Sequence, residues 1–313
     1  MESTVYLYNE TRLGKREVVG PLEIWGINTG PALLTDLRNL PVTYRGCPRE
    51  LKETPQVDRI IIENVSDTQL FLPEGWYVNS ENLLQSRVLV DDLLIEANTE
   101  GFARTACIES ARWRINQNTD FTSGRVPPSV IRAIRSIPST SIRAEDIRQR
   151  QQNVWDSVTK HTRYGSSSSS ESLIEILQSE SSRPGRQELI EEVTELAEET
   201  SDGRNGVLIC LAGEPLILEI FQTPELLSNN YVDLMRSIVF DATFAEKPDT
   251  SEGTLDAFLR EILNSELKPR PSSRSTYFLE SASRNLSSRL MYDVISRGPF
   301  HALTLNMNHP VLV

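Results

Sequence analysis

The chemistry this chain can offer gathers between Gln85 and Trp155. Gln85, Arg87, Glu109, Arg112 and Trp113 fall within one stretch, QSRVLVDDLLIEANTEGFARTACIESARW, and Gln151 and Trp155 follow on a segment with helical spacing. Guanidinium forks match phosphate oxygens, and an indole offers a face on which a planar base stacks. Glu109 can accept from a ribose or sugar hydroxyl. A buried carboxylate beside arginine stays ionised, which suits nucleophilic or general-base work better than acid work. The same residues have a structural reading, in which Arg112 pairs with Glu109 at a strand end while Trp113 and Trp155 join sheet to helix. Residue types alone leave both readings open.

The familiar catalytic motifs are missing: there is no GxGxxG, GxxxxGK[ST], HExxH or GxSxG in the chain. Of the three histidines, His161 closes a predicted helix, where a surface role is expected, and His301 lies inside the apolar run Phe300–Leu303, where a hydrogen-bonded core residue is expected. A Cys107–His301 nucleophile–base pair is chemically sound, but nothing in the sequence brings the two together. Cys107 reads more simply as a small apolar strand residue. Three cysteines without CxxC spacing imply thiols in a reducing compartment, and no ligand pattern calls for a metal or cofactor.

A net charge of −12 argues against nucleic acid or an anionic membrane as the main partner. The middle of the chain is nonetheless basic, with Arg112, Arg114, Arg125, Arg132, Arg135, Arg143, Arg148 and Arg150. These form either an anion site or solvated helix faces that pair with acidic flanks. The N-terminus has no apolar signal region and no run is long enough to span a bilayer, so the cytoplasm is the expected compartment.

Strands and helices must position these groups. Thr4–Tyr8, Pro21–Ile27, Arg59–Glu63, Gln69–Leu72, Trp76–Val78, Ser86–Glu96 and Phe102–Ile108 read as strands joined by Asp/Asn/Gly turns, with one short helix at Ala32–Asn39. Helical spacing then takes over at Ser129–Ile137 and Ala144–Lys160. A serine run follows and reads as a flexible loop, 165–171. Ser172 and Glu175 fit a capping box, and an amphipathic helix carries Leu189, Ile190, Val193 and Leu196 on one side. Val207–Leu211 and Leu216–Phe221 form a hairpin whose glycine supplies a positive φ. Helices at Tyr231–Phe240 and Thr254–Asn264 come next, the latter ended by Lys268–Pro271, and strands at Ser275–Ser281, Arg289–Ile295 and Phe300–Met307 close the chain.

The expected fold is therefore α+β and mostly antiparallel, a sandwich or partly closed barrel with helices packed on the sheet. It is read as a single domain over 1–313. A first strand-rich part covers 57–113, a helical serine-rich insertion 127–200, and a second strand-rich part with two helices 206–313. Sheet edges of this kind make a homodimer one arrangement open to it.

Five pieces of the chain resemble the domain family named for its association with ADP-ribosylglycohydrolases and rhodanese-phosphatases. They are Leu72–Gly75 with Gln85–Leu89, then Cys107–Trp113 (similar to C-[VI]-E-x-[GA]-R-W), Gln151–Trp155 (similar to Q-x-x-[VI]-W), Asn205–Phe221, and His301–Leu305. The likeness runs from about residue 57 onward. It implies a setting rather than an activity: recognition or processing of a nucleotide, ADP-ribose or an ADP-ribosylated molecule.

The leading expectation is a binding or accessory domain for a nucleotide-like ligand. Arg87 and Arg112 would hold anionic oxygens, Gln85 and Glu109 polar edges, and Trp113 or Trp155 a stacking face, with Gln151 beside them. A hydrolase or transferase using Glu109, and a structural or protein-interaction module without a small-molecule site, are the alternatives.

Overall fold

The computed structural model describes residues 12–29, 42–43, 50–54, 56, 58–79, 83–110, 121–138, 143–164, 172–181, 184–199, 203–242, 252–271, 276–283, 285–293 and 298–310. Their architecture is α+β. Pairings among the described strands are antiparallel, apart from one short parallel pair. Contacts gather the chain into two compact units, Met1–Leu40 with Leu189–Met235 and Asp241–Val313, and Pro41–Glu188 with Arg236–Phe240. The strand expected at Thr4–Tyr8, the helix at Ala32–Asn39 and the serine loop lie outside the described residues.

The first unit opens with β1 (Arg12–Val19) and β2 (Leu22–Asn28), a hairpin of which only β2 was anticipated. β1 is rich in charged residues and exposes most of its length, so it lacks the apolar alternation that marks a strand.

The second unit holds β3 (Val42–Thr43), β4 (Glu50–Glu53), β5 (Arg59–Asn64), β6 (Gln69–Leu72), β7 (Trp76–Asn79), β8 (Arg87–Leu89), β9 (Leu93–Ile95), β10 (Thr99–Cys107) and β11 (Thr122–Arg125). Six of these form a sheet in the order β11-β7-β8-β10-β5-β4, and β3-β6-β9 form a smaller one. Their inward side chains, among them Leu51, Ile60, Ile62, Leu70, Trp76, Leu89 and Ile95, make one buried cluster. The strand expected over Ser86–Glu96 is broken in two. Asp91 takes the Arg104 guanidinium and Asp92 Oδ1 accepts from the Glu74 N–H at 2.7 Å, so both leave the ladder. β8 then pairs with β7 and β10, whereas β9 turns to β6. The helices α1 (Pro128–Arg135), α2 (Ala144–Tyr164) and α3 (Leu173–Ser181) follow, and α4 (Pro184–Glu199) continues the chain.

The remaining elements are β12 (Gly206–Leu211), β13 (Glu214–Phe221), α5 (Pro224–Ala242), α6 (Glu252–Asn264), β14 (Lys268–Pro271), β15 (Thr276–Ala282), β16 (Leu286–Asp293) and β17 (Gly298–Asn306). With β1 and β2 they build an eight-stranded sheet, β1-β2-β12-β13-β17-β16-β15-β14. Leu255, Phe258 and Ile262 of α6 pack on Ile27, Leu208, Leu218, Ile220, Leu290 and Ala302. The β12–β13 turn places both Ala212 (φ 54°) and Gly213 (φ 79°) in the left-handed region, the two-residue form that suits a twisted hairpin. Lys268–Pro271 does not simply end a helix but forms the last strand of the sheet. Its two prolines are two residues apart, so their missing N–H groups fall on one side of an edge strand, where no ladder needs them.

Candidate functional site

The polar constellation is built where β10 ends. Cys107 pairs with Arg87 in the β8–β10 ladder, and the Ile108 N–H donates to the Ser86 carbonyl at 3.1 Å, carrying the pairing one step further. Glu109 then bridges Ser172, while the Leu173 N–H donates to the Ile108 carbonyl at 3.0 Å, which ties the start of α3 to the strand end. Backbone geometry thus fixes Glu109 from both sides before its side chain does anything.

The side chains close on one another. Glu109 Oε2 accepts from the Ser86 N–H and hydroxyl, both at 3.2 Å, and Gln85 Nε2 donates to the Glu109 carbonyl at 2.9 Å. Arg87 Nη1 donates to Gln85 Oε1 at 3.3 Å and to Cys107 Sγ at 2.7 Å. Its Nη2 donates to both oxygens of Glu53, at 2.9 and 3.1 Å. Glu53 Oε1 also accepts from the Leu84 N–H at 2.8 Å. Gln85, Arg87 and Glu109 are at most 3% exposed, whereas Gln151 is half-buried. From α2, Gln151 takes the Cys107 N–H on its Oε1 at 2.7 Å and returns its Nε2 to the Cys107 carbonyl at 2.8 Å, completing the β10 backbone as a neighbouring strand would.

Burial pushes the Cys107 thiol up to about 11, with Arg87 opposing and Glu53 and Glu109 adding to the rise. The sulfur is therefore a neutral acceptor rather than a nucleophile at physiological pH. His301 belongs to the other unit, where its Nε2 meets Glu219 Oε1 at 2.9 Å with both groups fully buried.

Gln85, Arg87, Glu109 and Gln151 thus converge on the end of β10. Trp155 lies one helical turn beyond Gln151, half-buried, and its indole Nε1 is buried without an acceptor. Arg112 and Trp113 lie outside the described residues. Sequence reading passed over Glu53 and Ser86, which hold Arg87 and Glu109. Ser86 sits next to Arg87 in the chain, but Glu53 is 34 residues away and only the folded sheet makes it a partner.

A second polar group also surfaced only in the structure. Glu74 and Arg135 form a fully buried ion pair at 2.7 Å, Arg125 Nη2 donates to the Glu74 carbonyl at 3.3 Å, and Asp92 receives the Glu74 N–H. Gly75 beside them has φ 79°, and a Cβ there would meet Ile131 at 3.0 Å, so the acidic-glycine turn needs its glycine on both counts. Of the basic residues in mid-chain, Arg143 just ahead of α2 and Arg148 on it are exposed, whereas Arg125, Arg135 and Arg150 are buried and internally bonded. His161, expected at the surface, is half-buried against α1. Its Nε2 is 2.9 Å from Ser129 Oγ, and burial with Arg186 and Lys160 nearby pushes the imidazole down to about 4.

Among the described residues no group of His, Cys, Asp and Glu has the arrangement of a metal site, and no helix is long and apolar enough to cross a membrane. No curated protein and no solved structure matches the chain. A family model does, over residues 48–296, and its span takes in the Glu74 turn, the Arg87–Glu109 network, the Gln151 helix and the Asn205–Phe221 hairpin. The chain belongs to the ARG and Rhodanese-Phosphatase-superfamily-associated Protein domain family.

Proposed function

We propose that this chain is a cytoplasmic binding or accessory domain that recognises a nucleotide-like ligand in an ADP-ribose or NAD-related setting. The setting is what the resemblance implies; the family's description names only an association with ARG and rhodanese-phosphatase-superfamily proteins. The observation that carries the reading is Trp155: a half-buried ring whose Nε1–H lacks an acceptor, one turn from the Gln151 that pins α2 to β10. A buried indole N–H ordinarily finds a partner, so an unpaired one beside a solvent-reachable ring suits a molecule that both stacks and accepts. Gln85, Arg87 and Glu109 make the frame of the site rather than its contact surface, because they are buried and most of their hydrogen-bonding atoms are spent on one another and on Glu53, Ser86 and Cys107. Arg112 and Trp113 keep the contact roles that the sequence suggests for them.

The same geometry favours binding over catalysis by Glu109. A general base or nucleophile must reach its substrate, and this carboxylate is buried with one oxygen held by two donors of Ser86. Calorimetric titration with ADP-ribose and NAD tests the proposal. Saturable binding is expected, weakened about three- to tenfold in Trp155→Phe, which keeps a smaller aromatic face and removes the N–H donor. Folded wild-type protein that gives no heat with either compound would refute it.

A further inference from the structure

Trp155 follows Arg148 by seven residues on α2. A helix turns about 100° and rises about 1.5 Å per residue, so the two positions fall on one stripe, about 10 Å apart along the axis. Gln151 and Val154 occupy the adjoining side, where the amide docks on Cys107 of β10 and the valine enters the core. The Arg148–Trp155 stripe therefore runs along the margin of the docked face. The indole is half-buried there and the guanidinium exposed, so solvent reaches both side chains.

Arg148 is also uncommitted. Arg125, Arg132, Arg135 and Arg150 are drawn into interactions within the chain, whereas Arg148 makes neither a hydrogen bond nor an ion pair among the described residues. The polar side chains around it on the helix surface serve one another: Gln149 Nε2 donates to Asn153 Oδ1 and Gln152 Nε2 to Asp156 Oδ1, each at 2.8 Å. Glu145 stands one turn ahead of Arg148 without forming an ion pair to it, and its charge offsets part of the pull on an anion.

We propose that this stripe takes a nucleoside diphosphate, with the base on Trp155 and the terminal phosphate on Arg148. The assignment rests on the stacking role given above to Trp155 and adds the charged end of the ligand. Helical side chains lean toward the N-terminus, so the two tips keep much of the axial separation of their Cα atoms. That separation suits a ribose and two phosphates. A nucleoside leaves the guanidinium out of reach, and a monophosphate brings its anion only part of the way. The guanidinium fork matches phosphate oxygens with two parallel hydrogen bonds, and a chain of net charge −12 needs such a local cation to hold an anion. The indole supplies a face and an N–H that has no acceptor within the protein.

Calorimetric titration of the full chain with ADP, AMP and adenosine tests the assignment. ADP should bind about tenfold more tightly than AMP, and Arg148→Ala should cut ADP affinity about tenfold while changing AMP less than about twofold. Alanine suits an exposed helix position, so this variant should melt where the wild type does. Arg260→Ala removes the same charge from a solvated position on α6 and should leave ADP affinity unchanged. If none of the three compounds binds folded wild type, the assignment is overturned; the Trp155 reading falls with it only when ADP-ribose and NAD also give no heat. Binding that Trp155→Phe weakens, but that is equal for ADP and AMP or indifferent to Arg148→Ala, leaves the Trp155 reading standing and overturns the role of Arg148. An equal loss in Arg260→Ala marks a general charge effect and refutes that role as well.

Discussion

Arg87 answers to three acceptors on three different parts of the chain: the Glu53 carboxylate, the Gln85 amide and the Cys107 sulfur. Glu53 is about one-fifth exposed, Arg87 almost fully buried. Removing the guanidinium leaves a carboxylate and an amide oxygen short of a donor, which in buried pairs costs about 3 kcal/mol or more. Arg87→Ala should therefore lower the urea midpoint by an amount equivalent to about 3 kcal/mol, and neutralising the partner as well, in Glu53→Gln/Arg87→Ala, should restore part of it. If Arg87 instead served only a ligand, the single variant would unfold where the wild type does. His161 carries a different residue-scale expectation. Its imidazole takes a proton near 6.5 when the chain is unfolded and near 4 when it is folded. Below pH 6.5 the unfolded chain binds the proton first, so this contribution to stability is complete above 6.5. It declines as the pH falls towards 4 and stays lost below that. The loss is up to about 3 kcal/mol, reduced by the solvent that reaches the half-buried ring. Thermal melts between pH 7 and 4 should show the decline in the wild type and a flatter profile in His161→Gln.

At the level of elements, the pieces that resemble the family are junctions rather than faces. Asn205 accepts from the Thr29 N–H at 3.1 Å and donates to Thr29 Oγ1 at 2.9 Å and to the Phe221 carbonyl at 2.8 Å, so one amide locks the ends of β2 and β13 across β12. Gly206 follows because a Cβ there would sit 2.7 Å from the Glu219 carbonyl oxygen, a backbone atom that cannot move aside. Gly206→Ala should cost about 1–3 kcal/mol of overpacking, read as a lower melting temperature with an unchanged far-ultraviolet spectrum. Gln151 performs the same kind of junction for α2 and β10. In the Q-x-x-V-W helix the three motif residues divide the work, since Gln151 completes a strand backbone, Val154 enters the core, and Trp155 keeps a spare donor. Sequence reading saw the motif and its apolar face, but the partner of Gln151 is 44 residues away and carries no local mark.

For the whole molecule, alternation and helical spacing were enough to determine that the chain is α+β and mostly antiparallel, because periodicity records directly which face of each element is buried. The order of elements from Arg59 to Asn306 followed from the same signal except at β11 and β14, which it did not anticipate, and at the break between β8 and β9. Strand β1 escaped it because an exposed charged strand has no buried face to announce itself, and β14 escaped it because its prolines read as a stop until an edge accommodates them. The residue types of the polar group were also legible: Gln85, Arg87, Glu109 and Gln151 do meet. Their state was not. Whether a guanidinium faces a guest or a neighbour depends on partners brought by the sheet from 34 and 20 residues away. Sequence by itself named the polar side chains and the elements that carry them. Only the tertiary structure decided which of them are saturated, because hydrogen-bond partners and burial are set by contacts between distant segments.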